Sequence, residues 1–321
     1  MNSFNPVRSI SLTDIRLDDT RFQITAREEN LSSLTRSIKT VGLVCFPTVW
    51  AADTGFVPVS GFRRIQAVQS FSETEKIDCR IMPADAEMAC AMQAVADNAF
   101  ARELTPAEQV RAVKLMNRFM DPAQMARQSL GIFNRQLNQG FIAALLAVST
   151  LPPEAMILLE NGNLGLKPAR RLTGYDKDTI DVLIHIFSRI KASSGKQLDI
   201  ITCLTEVCKI EHIRPGTLFE ENGLQAVLKR DTGDPGQKGD QVRQYLFRRR
   251  FPNLEQTRQR IKSGLGRLLS GKSLRFHLPE NFESTVYGVS FDFTSLDEFR
   301  NQAQVLRSMA DHPDLKGILE R

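Results

Sequence analysis

The chain has 321 residues, of which 42% are hydrophobic and 25% charged, and its formal net charge is +5. This is an ordinary globular composition, and the length suits two or three domains. No apolar run approaches eighteen residues, so no membrane helix is expected. The first six residues hold no basic stretch leading into an apolar one, so a cytoplasmic protein without a secretory signal is expected. Cys45, Cys79, Cys90, Cys203 and Cys208 form no C-x-x-C pair, which argues for reduced thiols and against a zinc site.

Residues 7 to about 100 read as a mixed α/β unit. A strand is expected over 10–15. Leu31, Leu34 and Ile38 lie on one face of a helix that Gly42 ends. Strands follow over 43–50 and 56–59. Then comes Gly61-Phe62-Arg63-Arg64, opening a helix over 65–71. A strand that ends in glycine and starts a helix points backbone N–H groups and the positive end of the dipole at one spot. Two arginines there add two-pronged donors for phosphate. The plain alternative is a solvated helix start with two surface arginines. A strand over 77–82 and a helix over 85–100, with Ala89, Met92, Ala96 and Phe100 inward, complete the unit.

From Leu104 the pattern turns helical. Thr105-Pro106-Ala107-Glu108 has the form of a capping box with proline at the first helical position, and Asp121-Pro122-Ala123-Gln124 repeats it. A helix from there turns at Gly131-Ile132-Phe133, and a second runs over 134–148. Helix, turn, helix is the outline of a DNA-reading hairpin, although a plain αα-hairpin has the same outline. Asn134, Arg135, Asn138 and Gln139 are its polar candidates for bases or phosphates. Further helices follow to about 230. Residues 231–240, with three glycines and a proline, read as a linker. Between Asp240 and Arg275 ten Lys and Arg face only Asp240 and Glu255, a local charge of +8. Such a stripe is a footprint for a polyanion, or else a solvated helix face. Arg248, Arg249, Arg250, Arg258, Arg260 and Lys262 are its candidates for DNA phosphates. The C-terminal piece reads β-β-α. Its aromatic face (Phe276, Tyr287, Phe291, Phe293) suits either a core or a dimer interface.

The order of these pieces resembles the ParB-like partition proteins of the ParB/sulfiredoxin superfamily. The resemblance covers residues 7 to 175. It rests on Ser37-Ile38, Gly42-Leu43, Pro47 and Val49; on Gly61 to Ala67 in the place of G-E-R-R-x-x-A; on Asp97-Asn98, Arg102 and Leu104 to Gln109; and on Leu151 to Glu154, Gly162, Leu164 and Pro168 to Leu172. It implies a ParB/sulfiredoxin-like nucleotide-binding domain over 1–103 and a helical helix-turn-helix DNA-binding domain over 104–192. The residue pattern beyond the resemblance adds a helical extension over 193–230 and a small basic α/β region over 241–321, so an α+β protein of four parts is expected. The resemblance also implies a nucleotide site for CTP or another nucleotide with Mg²⁺. Gly61, Arg63 and Arg64 would hold phosphates, Gly42 and Leu43 would lie near the base, Arg102 would join them, and Asn98 would be the metal ligand.

Three departures stand out. Phe62 occupies the place of the family's glutamate, a residue suited to orienting an attacking water. Binding without turnover is therefore expected, so NTPase activity is expected to be weak or absent. The arginine of the next motif is displaced by one, with Ala101 in its place and Arg102 after it. The helix-turn-helix spacing is one residue long, which rotates a helical side chain by about 100°. The leading reading is a nucleotide-regulated DNA-binding protein in plasmid or chromosome partition or mobile-element regulation. It would be a nucleoid-associated homodimer with a partition ATPase as partner and no membrane contact. The alternatives are an enzyme on the same fold (a Mg²⁺-dependent nuclease or a small-molecule kinase) and an adaptor with a vestigial site.

Overall fold

The computed structural model describes the chain apart from residues 1–5, 26–29, 71–74, 230–233, 254–258, 260, 262, 267–268, 270–273, 278–285 and 320–321. The chain divides into two compact units, Met1–Ile201 with Gly233–Gly236, and Thr202–Thr232 with Gln237–Arg321. The architecture is α+β: a mixed sheet with its helices, then a long helical run, then a small strand pair with helices.

The first unit begins with a four-stranded sheet in the order β1-β4-β2-β3, from β1 (Val7–Ser11), β2 (Thr48–Ala52), β3 (Gly55–Ser60) and β4 (Lys76–Met82). β2 runs parallel to β4, and the other pairs are antiparallel. Alternation along β4 buries Ile77 and Cys79 and exposes Asp78 and Arg80, as expected for a sheet covered on one face. Ile10, Val49, Ile65, Val68, Ile77 and Cys79 form its core. Burial, and behind it the Asp78 charge, pushes the Cys79 thiol up to about 12, so this cysteine is inert packing.

Three sequence expectations change here. The first strand ends at Ser11, and residues 12–14 form a 3₁₀ turn. β2 starts at Thr48 rather than 43, because residues 43–47 are irregular and end in Pro47, which has no ladder donor. The helix α3 (Glu87–Ala99) buries Cys90, Ala91, Ala94, Val95 and Ala99. The face of Ala89, Met92, Ala96 and Phe100 is the wrong one, and Phe100 is 57% exposed. Small residues occur all round this helix, so its apolar stripe has no single legible phase.

The helical part holds α4 (Pro106–Met116), α5 (Pro122–Phe133), α6 (Gln139–Val148), α7 (Pro153–Glu160), α8 (Leu166–Leu172) and α9 (Lys177–Phe187). Both capping boxes form, at Thr105/Glu108 and Asp121/Gln124. α5 continues through Gly131 and stops at Asn134, which takes the left-handed conformation with φ 50°. Asparagine tolerates that conformation because its short side chain adapts locally. The expected helix from 134 therefore starts only at Gln139. Among the described residues, no single helix is long and apolar enough to cross a membrane.

In the second unit, α10 (Ser194–Glu211, which begins in the first unit), α11 (Pro215–Glu220), α12 (Asn222–Lys229) and α13 (Pro235–Arg250) precede a strand pair of Arg275–His277 and Gly288–Ser290. The linker expected over 231–240 is helical from Pro235 onward. Proline suits a first helical position, and the Asp234 carboxylate accepts the Gly236 N–H at 2.8 Å. Phe276, Tyr287 and Phe291 pack against a core of Ile261, Leu274 and Met309, whereas Phe293 is exposed.

Candidate functional site

Gly61 ends β3 and caps α2 (Phe62–Gln69) in the left-handed region, at φ 82°. A Cβ there would sit 3.0 Å from Pro47 Cα, so both the turn and its close packing call for glycine. The Arg64 and Ile65 amides both return to the Gly61 carbonyl, at 2.9 and 3.1 Å. The first amides of a helix lack intrahelical acceptors, so the start of α2 is a natural place for an anion. Arg64 Nη1 donates to the Cys45 carbonyl at 2.6 Å and ties the irregular 43–47 loop to this turn.

A cleft of about 430 Å³ opens over this turn. Ser60, Gly61, Phe62, Arg63 and Arg64 line it, together with Asn98, Arg102 and Glu108. Residues from a strand end, a helix start, the last turn of α3 and the first turn of α4 thus meet in one place. Asn98 Nδ2 donates to the Ala94 carbonyl at 2.8 Å, which leaves Oδ1 as the atom suited to a hard cation. After α3 the amides of both Ala101 and Arg102 return to the Asn98 carbonyl, at 3.2 and 3.1 Å. This tight turn leads into Arg102, which lines the cleft. Phe62 is 9% exposed and contributes an apolar wall.

Gly42 and Leu43 do not line this cleft. Gly42 ends α1 (Ser32–Val41) at φ 77°, and Leu43 packs on the sheet core. Leu34 of the same helix lines the cleft instead. Glu108 is a further member that the sequence presented only as a helix cap. Its partner is Arg102, bonded at 2.6 and 2.7 Å. Burial raises the Glu108 pKa, but the Arg102 and Thr105 hydrogen bonds outweigh it, and the carboxyl sits below its ordinary value.

The second candidate surface is the α5–α6 hairpin. Asn134 closes α5, with Nδ2 donating to the Ala99 carbonyl at 3.4 Å. Asn138 caps α6 by accepting the Phe141 N–H at 2.7 Å. Both asparagines are therefore committed to backbone geometry. Arg135 and Gln139 are exposed. The Arg135 and Arg170 guanidiniums sit 5.8 and 6.0 Å from the Phe141 ring centroid, so an aromatic at the start of α6 is flanked by two cations. Phe141 and Arg170 carry no separate sequence signal, because only the fold brings α8 beside α6.

The basic stripe of the second unit is arranged differently. Arg249 is held by Glu211 and Glu221: Nε reaches Glu211 at 2.7 Å, and Nη1 reaches the Tyr245 hydroxyl at 3.1 Å. The hydrogen bonds that Arg249 donates to Glu211 and Glu221 raise its pKa. Arg250 Nε bonds Glu206 at 2.6 Å. These two arginines join α13 to α10 and to the start of α12 within the unit. Arg248 is exposed. Arg258, Arg260 and Lys262 lie outside the described residues.

Comparison with known proteins gives a match between residues 1–98 and the family model of the ParB N-terminal domain. Among solved structures, the C-terminally truncated chromosome-partitioning protein ParB from Caulobacter crescentus, complexed with CTP-γ-S, is 21% identical. The match covers 57% of this chain and 99% of that one, with a TM-score of 0.27. The same protein complexed to the centromeric parS site is 20% identical over 59% and 96%, with a TM-score of 0.34. A Pnob8-like ParB-N domain is 13% identical over 78% and 96%, with a TM-score of 0.39. No curated protein matches the sequence. Over residues 1–98, and there alone, the chain matches the ParB N-terminal domain.

Proposed function

We propose that the chain is a DNA-binding partition protein whose N-terminal cleft binds a nucleoside triphosphate as a regulator. The convergence of Gly61, Arg63, Arg64, Asn98 and Arg102 around one cleft carries this reading. Arginine forks and a helix start suit a polyphosphate, and an amide oxygen beside them suits Mg²⁺. CTP is the nucleotide that the family resemblance points to. Phe62 supplies neither a base nor a water-orienting group, so the site binds and releases its nucleotide with little turnover.

DNA falls to the helical region, where Arg135, Gln139, Phe141 and Arg170 gather at the start of α6. The exposed remainder of α6 is small, with Gly140 and Ala143 outward. It offers few groups for base edges, so phosphate contact dominates and binding weakens steeply with salt. Calorimetry with CTP and Mg²⁺ tests the first half. Wild type should bind, and the double change Arg63→Ala with Arg64→Ala should weaken binding by at least about a hundredfold, at about 1.5–3 kcal/mol for each charged contact. No heat with wild type would sink the nucleotide reading. For the second half, a shift assay at low salt without any retained DNA would remove DNA from the proposal.

A further inference from the structure

The cleft holds a carboxylate among its arginines. Glu108 lines it beside Arg63, Arg64 and Arg102, yet the residue is only 5% exposed. Both prongs of Arg102 end on it, Nη1 donating to Oε2 at 2.7 Å and Nη2 to Oε1 at 2.6 Å. Oε2 also accepts the Thr105 N–H at 2.9 Å, while Thr105 Oγ1 accepts the Glu108 N–H at 3.3 Å. One carboxylate thus ties a cleft arginine to the first turn of α4. The paired prongs of Arg102 that Glu108 holds reach a polyphosphate only if the guanidinium leaves Glu108. Glu108 itself repels a phosphate at close range. A carboxylate this buried is costly to leave without its partner, so on losing Arg102 it must shift or admit water. Its grip on the Thr105 amide changes with it.

We infer that Glu108 is a gate on this cleft: it withholds Arg102 from an incoming nucleoside triphosphate, and the release of Arg102 by the phosphates loosens the first turn of α4. Occupancy of the cleft is then felt at the start of the helical region. The inference rests on the nucleotide reading above and adds its regulation. Glu108 acts here as a positioning residue, through Arg102.

The test measures CTP affinity with Mg²⁺ by calorimetry on the full chain. Glu108→Gln keeps the capping box, because glutamine serves at that position, and removes the charge that holds Arg102. Affinity should rise about tenfold, within the usual range of a coupling between sites. Arg102→Ala should bind about tenfold more weakly than wild type. Adding Glu108→Gln to it should then change affinity by less than about twofold, because the gated group is gone. A Glu108 that serves packing alone gives weaker or unchanged binding in Glu108→Gln, and that result overturns the gate while leaving the nucleotide reading intact. If neither wild type nor Glu108→Gln binds CTP, both fall together. Hydrogen exchange on wild type supplies a readout that needs no variant. The Thr105 amide should exchange several-fold faster with CTP bound, and unchanged or slower exchange overturns the link to α4.

Discussion

Two groups of arginines in this chain look alike in sequence and do different work in the fold. Arg63, Arg64 and Arg102 border a cleft, where the Cys45 carbonyl accepts from Arg64 and Glu108 holds Arg102. Arg249 and Arg250 sit in a run of three that reads as a polyanion footprint, yet Glu206, Glu211 and Glu221 hold them within the second unit. The difference shows that a basic run identifies a binding surface only when the acids that meet it in space are known. The acids around Arg249 are 28 and 38 residues away in sequence, beyond the reach of any local charge count.

The sharpest way to break this comparison is Arg249→Ala. Removing the guanidinium leaves the partly buried Glu211 and Glu221 carboxylates without the cation they share. We expect a loss of about 2 kcal/mol in chemical denaturation, between the surface and buried extremes for ion pairs. DNA affinity should hold within about twofold. A large fall in DNA affinity with unchanged stability would return Arg249 to the phosphate-binding group.

A second expectation follows from pH. The Arg249 hydrogen bond holds the Glu221 carboxyl below its ordinary value, and Arg102 and Thr105 do the same for Glu108 against the opposing effect of burial. A folded-state pKa that is depressed gives stability that is present above the ordinary glutamate value of 4.5 and is lost as pH falls through the folded value. Acid should therefore destabilise the wild type, and the Arg249→Ala variant should lose less on acidification. Denaturation midpoints at pH 7 and pH 3 check this. An equal loss in both proteins would show that Glu221 gains nothing from Arg249.

The smallest expected effect is at the helical surface. Arg135→Ala should lower the slope of log affinity for DNA against log salt by about one, uniformly across sequences. An unchanged slope would leave the Arg135, Phe141 and Arg170 group as internal packing.

Much of the first domain was legible. The capping boxes at Thr105 and Asp121 formed because their determinants lie within four residues. The turn at Gly61 was legible because a left-handed glycine between a strand and a helix is a local event. The inward face of α3 was not, since Cys90, Ala91 and Ala94 differ from Ala89 and Ala96 only in what packs over them. The length of α5 was also misjudged, because Gly131 weakens a helix without ending it and the stop at Asn134 depends on a backbone conformation.

By itself the sequence determined the order of the elements, their caps, the glycine turn that opens α2 and the phenylalanine at position 62. Those features follow from neighbouring residues and from backbone preferences. Only the tertiary structure decided which charges are available. It set Glu108 on Arg102, Glu211 and Glu221 on Arg249, and Arg170 beside Phe141, because charge pairing depends on distances of a few ångströms between residues that the chain itself separates.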